Sequence, residues 1–126
     1  MVKSVHFSPA AKLTVLVVIC SVMWWSCGKE SVDMIDCTGL TPTYTSDIKE
    51  ILDSSCAKSG CHDPVTKSNG YDFRTYNTAM PISQGANFLG AIQHKSGFIP
   101  MPMDGPKLSD SKVQLLTCWV QNGSPQ

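Results

Sequence analysis

The sequence predicts an all-α fold, and three observations carry the prediction. Apolar residues recur at spacings of three and four in short segments, two of them with a serine placed to cap the helix start. No convincing strand is visible. A Pro/Asn/Gly loop between residues 63 and 70 and three prolines between 98 and 106 divide those segments, as connectors between short helices do. With 126 residues there is room for one compact domain. The balance of 10 Lys+Arg against 10 Asp+Glu, without a basic cluster, argues against a binder of nucleic-acid phosphates. Six cysteines are the unusual feature. That is too few for a disulfide-dense miniprotein and more than a reduced cytosolic domain usually carries, so each needs its own explanation.

The chain begins with a secretory pattern. Lys3 and Lys12 supply a positive region, and Leu13 to Trp25 is an uncharged run too short to span a bilayer, which takes about 20 apolar residues. Ser26 before Cys27 resembles a bacterial lipoprotein box, with Trp24 departing from its usual aliphatic residue. Residues 1–26 are thus expected to be a lipoprotein-type signal peptide, and Cys27 the lipidated first residue of the mature chain. An ordinary secretory signal with Cys27 free, or an uncleaved anchor, is the plainer reading. Ile19 is too bulky for Cys20 to serve, and Cys20 leaves with the signal. Either way the domain lies outside the cytoplasm. Losing Lys3 and Lys12 but no acidic residue gives the mature chain a formal charge of −2. Residues 27–43, polar and poor in large apolar side chains, read as a lipidated tether, with the folded domain spanning 44–126.

The helices follow in order. Ser46 is placed to cap a helix whose Ile48, Ile51 and Leu52 line one face, with Asp47 and Glu50 at its positive end. Tyr71 to Met80 holds one or two helical turns. Gly85 to His94 puts Phe88, Leu89 and Ile92 on one face. Phe98 to Pro106 cannot be helical, because its prolines fix φ and remove amide donors. Ser109 caps a last helix, with Val113, Leu116 and Val120 inward and Asn122-Gly123 closing it.

The chemistry sits at Cys56-Ala57-Lys58-Ser59-Gly60-Cys61-His62. Two cysteines followed at once by histidine is the arrangement that attaches c-type haem: each thiol adds across a haem vinyl group and the imidazole reaches the iron. The spacer has four residues where two are usual, and the small Ala57, Ser59 and Gly60 would let the longer loop bulge. A Cys56–Cys61 disulfide, or a zinc site drawing on His94, stays open on the motif alone. A second axial ligand is at hand in Met101, on the proline-pinned loop, with Met103 as direct competitor and Met80 a weaker one. His94 is a candidate in a bis-His site, although a lone histidine after a helix is more simply a solvated end or a group near a propionate. Trp119 reads as a core aromatic, and Tyr71, Phe73, Tyr76 and Phe88 as pocket lining.

From Tyr44 to Gly123 the chain resembles small class I cytochromes c, and more closely the cytochrome c-like lipoproteins of Bacteroidetes. The residues that carry the resemblance are Tyr44 to Leu52 leading into Cys56-x4-Cys61-His62, then Gly90 to His94, Met101-Pro102, Gly105 to Ser109, and Trp119 to Gly123. The resemblance implies a small helical fold around one covalently bound haem c, held by Cys56 and Cys61, with His62 as proximal and Met101 as distal iron ligand. It also implies that the N- and C-terminal helices pack together, which makes a Cys37–Cys118 disulfide sterically plausible; two unpaired cysteines are the alternative. The implied role is single-electron transfer between envelope redox partners by a membrane-anchored carrier facing the periplasm or the cell exterior, without catalysis. Two other readings stand beside it: a haem-free envelope lipoprotein with two disulfides and a structural or binding role, and a ligand-sensing or peroxidatic haem protein.

Overall fold

The computed structural model describes residues 28–126. The signal segment, Cys20 and the lipid-acceptor Cys27 lie outside the described residues. Within them the chain is built from helices and turns, with no strand, and no helix is long and apolar enough to cross a membrane.

A π-helical turn, Tyr44–Ile48, runs directly into helix α1, Lys49–Ser55. Its cap is Thr43 and not Ser46. Thr43 is extended (φ −115°, ψ 157°), as a cap residue must be, whereas Ser46 already lies inside the turn. The Thr43 hydroxyl accepts from the Ser46 amide at 3.3 Å, and Asp47 Oδ2 accepts from the Thr43 amide at 2.9 Å, a reciprocal pair that satisfies two free donors. Helix α2, Tyr76–Ser83, starts later than the sequence suggests and is capped by Thr75. Residues 71 to 73 are kept out of it because the Phe73 amide donates to the His62 carbonyl at 3.0 Å. Helix α3 is the short Phe88–Ile92. Helix α4, Asp110–Gln121, is capped by Ser109 as expected and closes at Asn122, with Gly123 at φ +84° donating to the Val120 carbonyl.

The terminal elements share one core. Ile48, Leu52, Leu116 and Trp119 are fully buried, each worth about 1.5–3 kcal/mol in removed apolar surface. The Tyr44 ring lies 6.2 Å from Trp119 and 5.5 Å edge-on to Tyr76, and Trp119 Nε1 donates to the Pro125 carbonyl at 2.8 Å. Tyr76 therefore belongs to this core, its hydroxyl donating to the Ser124 carbonyl at 3.0 Å.

Residues 28–43 are a strap, not a free tether. Two glutamines grip the strap's backbone on both sides. Gln93 Oε1 accepts from the Asp33 amide while its Nε2 donates to the Asp33 carbonyl; Gln121 does the same at Ile35. The Glu30 amide donates to the Ser96 carbonyl, and the Glu30 carboxylate takes the Ser96 amide and the Lys95 ammonium. Further along, Asn122 Nδ2 donates to the Leu40 carbonyl. The Cys37–Cys118 disulfide fixes the strap covalently to α4, with its Cα atoms 5.5 Å apart and Cys118 wholly buried.

Candidate functional site

The motif begins where α1 ends. The Cys56 and Ala57 amides both donate to the Leu52 carbonyl at 2.8 Å, which places Cys56, half-buried, at the end of the helix. The four-residue spacer then folds back on itself. The Cys61 amide donates to the Lys58 carbonyl at 2.9 Å, and Gly60 takes φ +83°, a left-handed conformation that glycine reaches without penalty. The His62 amide donates to the Cys56 carbonyl at 3.2 Å. The excursion is thus a closed bulge, and Cys56, Cys61 and His62 are brought together on one turn.

Asp63 holds that turn, a role the sequence reading missed although Asp-Pro is a turn signal. Its carboxylate accepts from the Val65, Thr66 and Gly60 amides at 2.7, 3.0 and 3.1 Å. Hydrogen bonds from Thr66, then Val65 and Gly60, hold its pKa down to about 2. Arg74 braces the other side, donating to the Ala57 carbonyl at 3.0 Å, while its own carbonyl accepts from the Tyr44 hydroxyl.

The His62 side chain is buried, and its Nδ1 lies 3.0 Å from the Ser68 carbonyl. A carbonyl oxygen only accepts, so Nδ1 carries a proton, and in the neutral imidazole this leaves the lone pair on Nε2. Phe73 stands edge-on to the imidazole at 5.3 Å and Tyr71 lies tilted at 5.9 Å; Phe73 in turn contacts Phe88 of α3 at 5.8 Å. Tyr71 and Phe73 thus flank the histidine, and Phe88 joins the group through Phe73.

The two cysteines of the motif are free thiols of unequal exposure: Cys61 is exposed, whereas burial, with Cys61 close by, pushes the Cys56 pKa up to about 11. Thiol–disulfide chemistry needs the opposite, an attacking cysteine with a lowered pKa. Among the described residues no three His, Cys, Asp or Glu side chains converge where one ion could be shared.

Met101 and Met103 separate clearly. The Met101 amide donates to the Ala91 carbonyl of α3 at 3.0 Å, its carbonyl accepts from His94 Nε2 at 3.0 Å, and the residue is half-buried. Met103 is 64% exposed. His94 itself is exposed, held at φ +56°. The loop rests on α3 because Phe98 packs against Gly90, where a Cβ would stand only 2.5 Å from the ring. Met101 and His62 are joined through α3, Phe88 and Phe73. Met80, the weaker candidate, lies inside α2. A cleft of about 550 Å³ opens elsewhere, between the strap and α4, with Asp33, Ile35, Gln93, Lys107 and Thr117 in its walls and no residue of the motif among them.

Comparison with family models, curated proteins and solved structures returns no match for the chain.

Proposed function

We propose that the protein is a membrane-anchored c-type cytochrome that carries single electrons between envelope redox partners. The observation that carries the reading is the His62 imidazole, fixed through Nδ1 to the Ser68 carbonyl so that Nε2 is free to bind iron, one residue from a free thiol and across a closed bulge from another. A metal-ligating histidine is normally oriented in this way by a hydrogen bond from its other ring nitrogen. When bound, haem c supplies a one-electron couple at its iron.

The residues fit that group. The Cys56 and Cys61 thiols would form the thioether links, each S–H adding across a vinyl group. A raised pKa keeps Cys56 protonated and unavailable for disulfide exchange. His62 would hold the iron from one side. The Met101 thioether would hold it from the other, its backbone fixed at Ala91 and His94, whereas the exposed Met103 lacks such support. The zinc reading would draw on His94 as a further donor, but the His94 Nε2 is engaged with the Met101 carbonyl at 3.0 Å. The two-disulfide reading is disfavoured because Cys56 and Cys61 stand as free thiols while Cys37 and Cys118 are bridged. With a lipidated Cys27 the carrier would face the periplasm or the cell exterior.

Expression with a cytochrome c maturation apparatus, followed by peroxidase staining of a denaturing gel, tests the reading. A stained band that vanishes in Cys56→Ser/Cys61→Ser is expected, and a colourless wild-type band under maturation-competent conditions overturns it.

A further inference from the structure

The strap changes what a lipid on Cys27 would do. A flexible tether would let the domain turn freely above a bilayer, but the chain is already seated on the domain at Lys29. The Lys29 ammonium lies 4.6 Å from the centre of the Phe98 ring and donates to Asn87 Oδ1 at 2.8 Å. At Gly97, with φ +84°, a Cβ would stand 3.0 Å from Lys29 Cα, so the two backbones are in close contact. Glu30 then pairs with Ser96 and Lys95, and Lys95 also meets Asp33 at 2.9 Å. Two residues of chain reach at most about 7 Å, so covalent geometry keeps Cys27 within about 7 Å of Lys29.

The loop that begins at this contact carries two of the four large apolar side chains most exposed in the domain, Ile99 at 66% and Met103 at 64%. Neither serves the core, and Pro100, between Ile99 and Met101, is exposed as well. Apolar side chains next to an acyl anchor are the composition of an interfacial membrane contact, and an anchor raises the effective concentration of lipid so that even a weak contact is populated.

We propose that the loop from Phe98 to Pro106 is the membrane-facing surface of the domain, with Ile99 and Met103 entering the boundary between headgroups and acyl chains beside an acylated Cys27. The inference rests on the lipidation in the proposed function and adds orientation to it. The strap holds the domain against the bilayer with the Met101 loop toward it. The partner this favours is a redox protein embedded in the same membrane.

The mature chain, lipidated and loaded with its haem, is reconstituted in phosphatidylcholine vesicles with the photocrosslinking residue benzoylphenylalanine at position 99, at position 103, or at the exposed position 41 as control. Flotation with the vesicles and incorporation of labelled fatty acid report the anchor; the mass of the crosslinked product reports orientation. The expected result is a phospholipid adduct at 99 and 103, severalfold more abundant than at 41. Equal adducts at all three positions, or an adduct to a second copy of the chain in place of lipid at 99 and 103, overturns the orientation while leaving the anchor intact. Loss of flotation and of fatty-acid label overturns the anchor, and the orientation with it.

Discussion

The amide of His62 donates to the carbonyl of Cys56 at 3.2 Å, although a four-residue spacer and a second cysteine lie between them. This contact makes the long spacer tolerable. The residues between the cysteines form a self-contained turn with Gly60 at its left-handed corner, and this turn sets the direction in which the histidine leaves the helix end.

The two thiols of the motif should differ in reactivity before haem is attached. With a pKa of about 11, Cys56 is thiolate in roughly one molecule in a thousand at pH 8. Pulse alkylation of haem-free protein at pH 8, read by peptide mass spectrometry, should therefore label Cys61 faster than Cys56 by on the order of tenfold or more. Equal rates would show that Cys56 is not buried as described.

Met101 is expected to supply the distal sulfur. Met101→Ala should abolish the sulfur-to-iron charge-transfer band of the ferric protein, while Met103→Ala leaves it in place. His94→Ala removes the hydrogen bond to the Met101 carbonyl and should weaken the band without releasing haem. Loss of the band in Met103→Ala alone would move the ligand to Met103; survival in both methionine variants would point to His94 or Met80.

Removing the disulfide should cost stability and leave the motif intact. The bridge closes a loop across a sequence separation of 81 residues. Cys37→Ser/Cys118→Ser is expected to lose about 2–5 kcal/mol in urea unfolding, with reductant producing the same loss in the wild type and none in the variant. An unchanged midpoint would mean that the glutamine clamps hold the strap on their own.

Asp63 makes the motif turn sensitive to acid. Its carboxyl titrates near 3.9 in the unfolded chain and near 2 in the folded one, so its contribution is full above about pH 4 and disappears as pH falls toward 2. The difference in urea midpoint between wild type and Asp63→Asn should be constant from pH 7 to about pH 4.5 and shrink below that. A difference that persists undiminished at pH 2 would exclude the carboxylate as its source.

What was legible in the sequence was what local spacing encodes. Ile48, Ile51 and Leu52 marked the first helix, Ser109 and Gly123 the two ends of the last, and the order Cys, Cys, His marked the site. The strap was not legible, because polar residues 28–43 carry no periodicity and are held by side chains far along the chain, Gln93 and Gln121, whose amides have no local signature. The first cap moved from Ser46 to Thr43 because Asp47 completes a reciprocal pair there.

The closed loop between Cys37 and Cys118 has one more effect. A protease that cuts once anywhere from residue 38 to residue 117 produces two fragments that remain joined through sulfur, and the Gln121 clamp on Ile35 spans every such cut. A cut in the exposed proline loop would leave the nicked molecule whole, with the segment bearing Cys56, Cys61 and His62 still bound to the remainder. The damage would become visible only under reducing conditions.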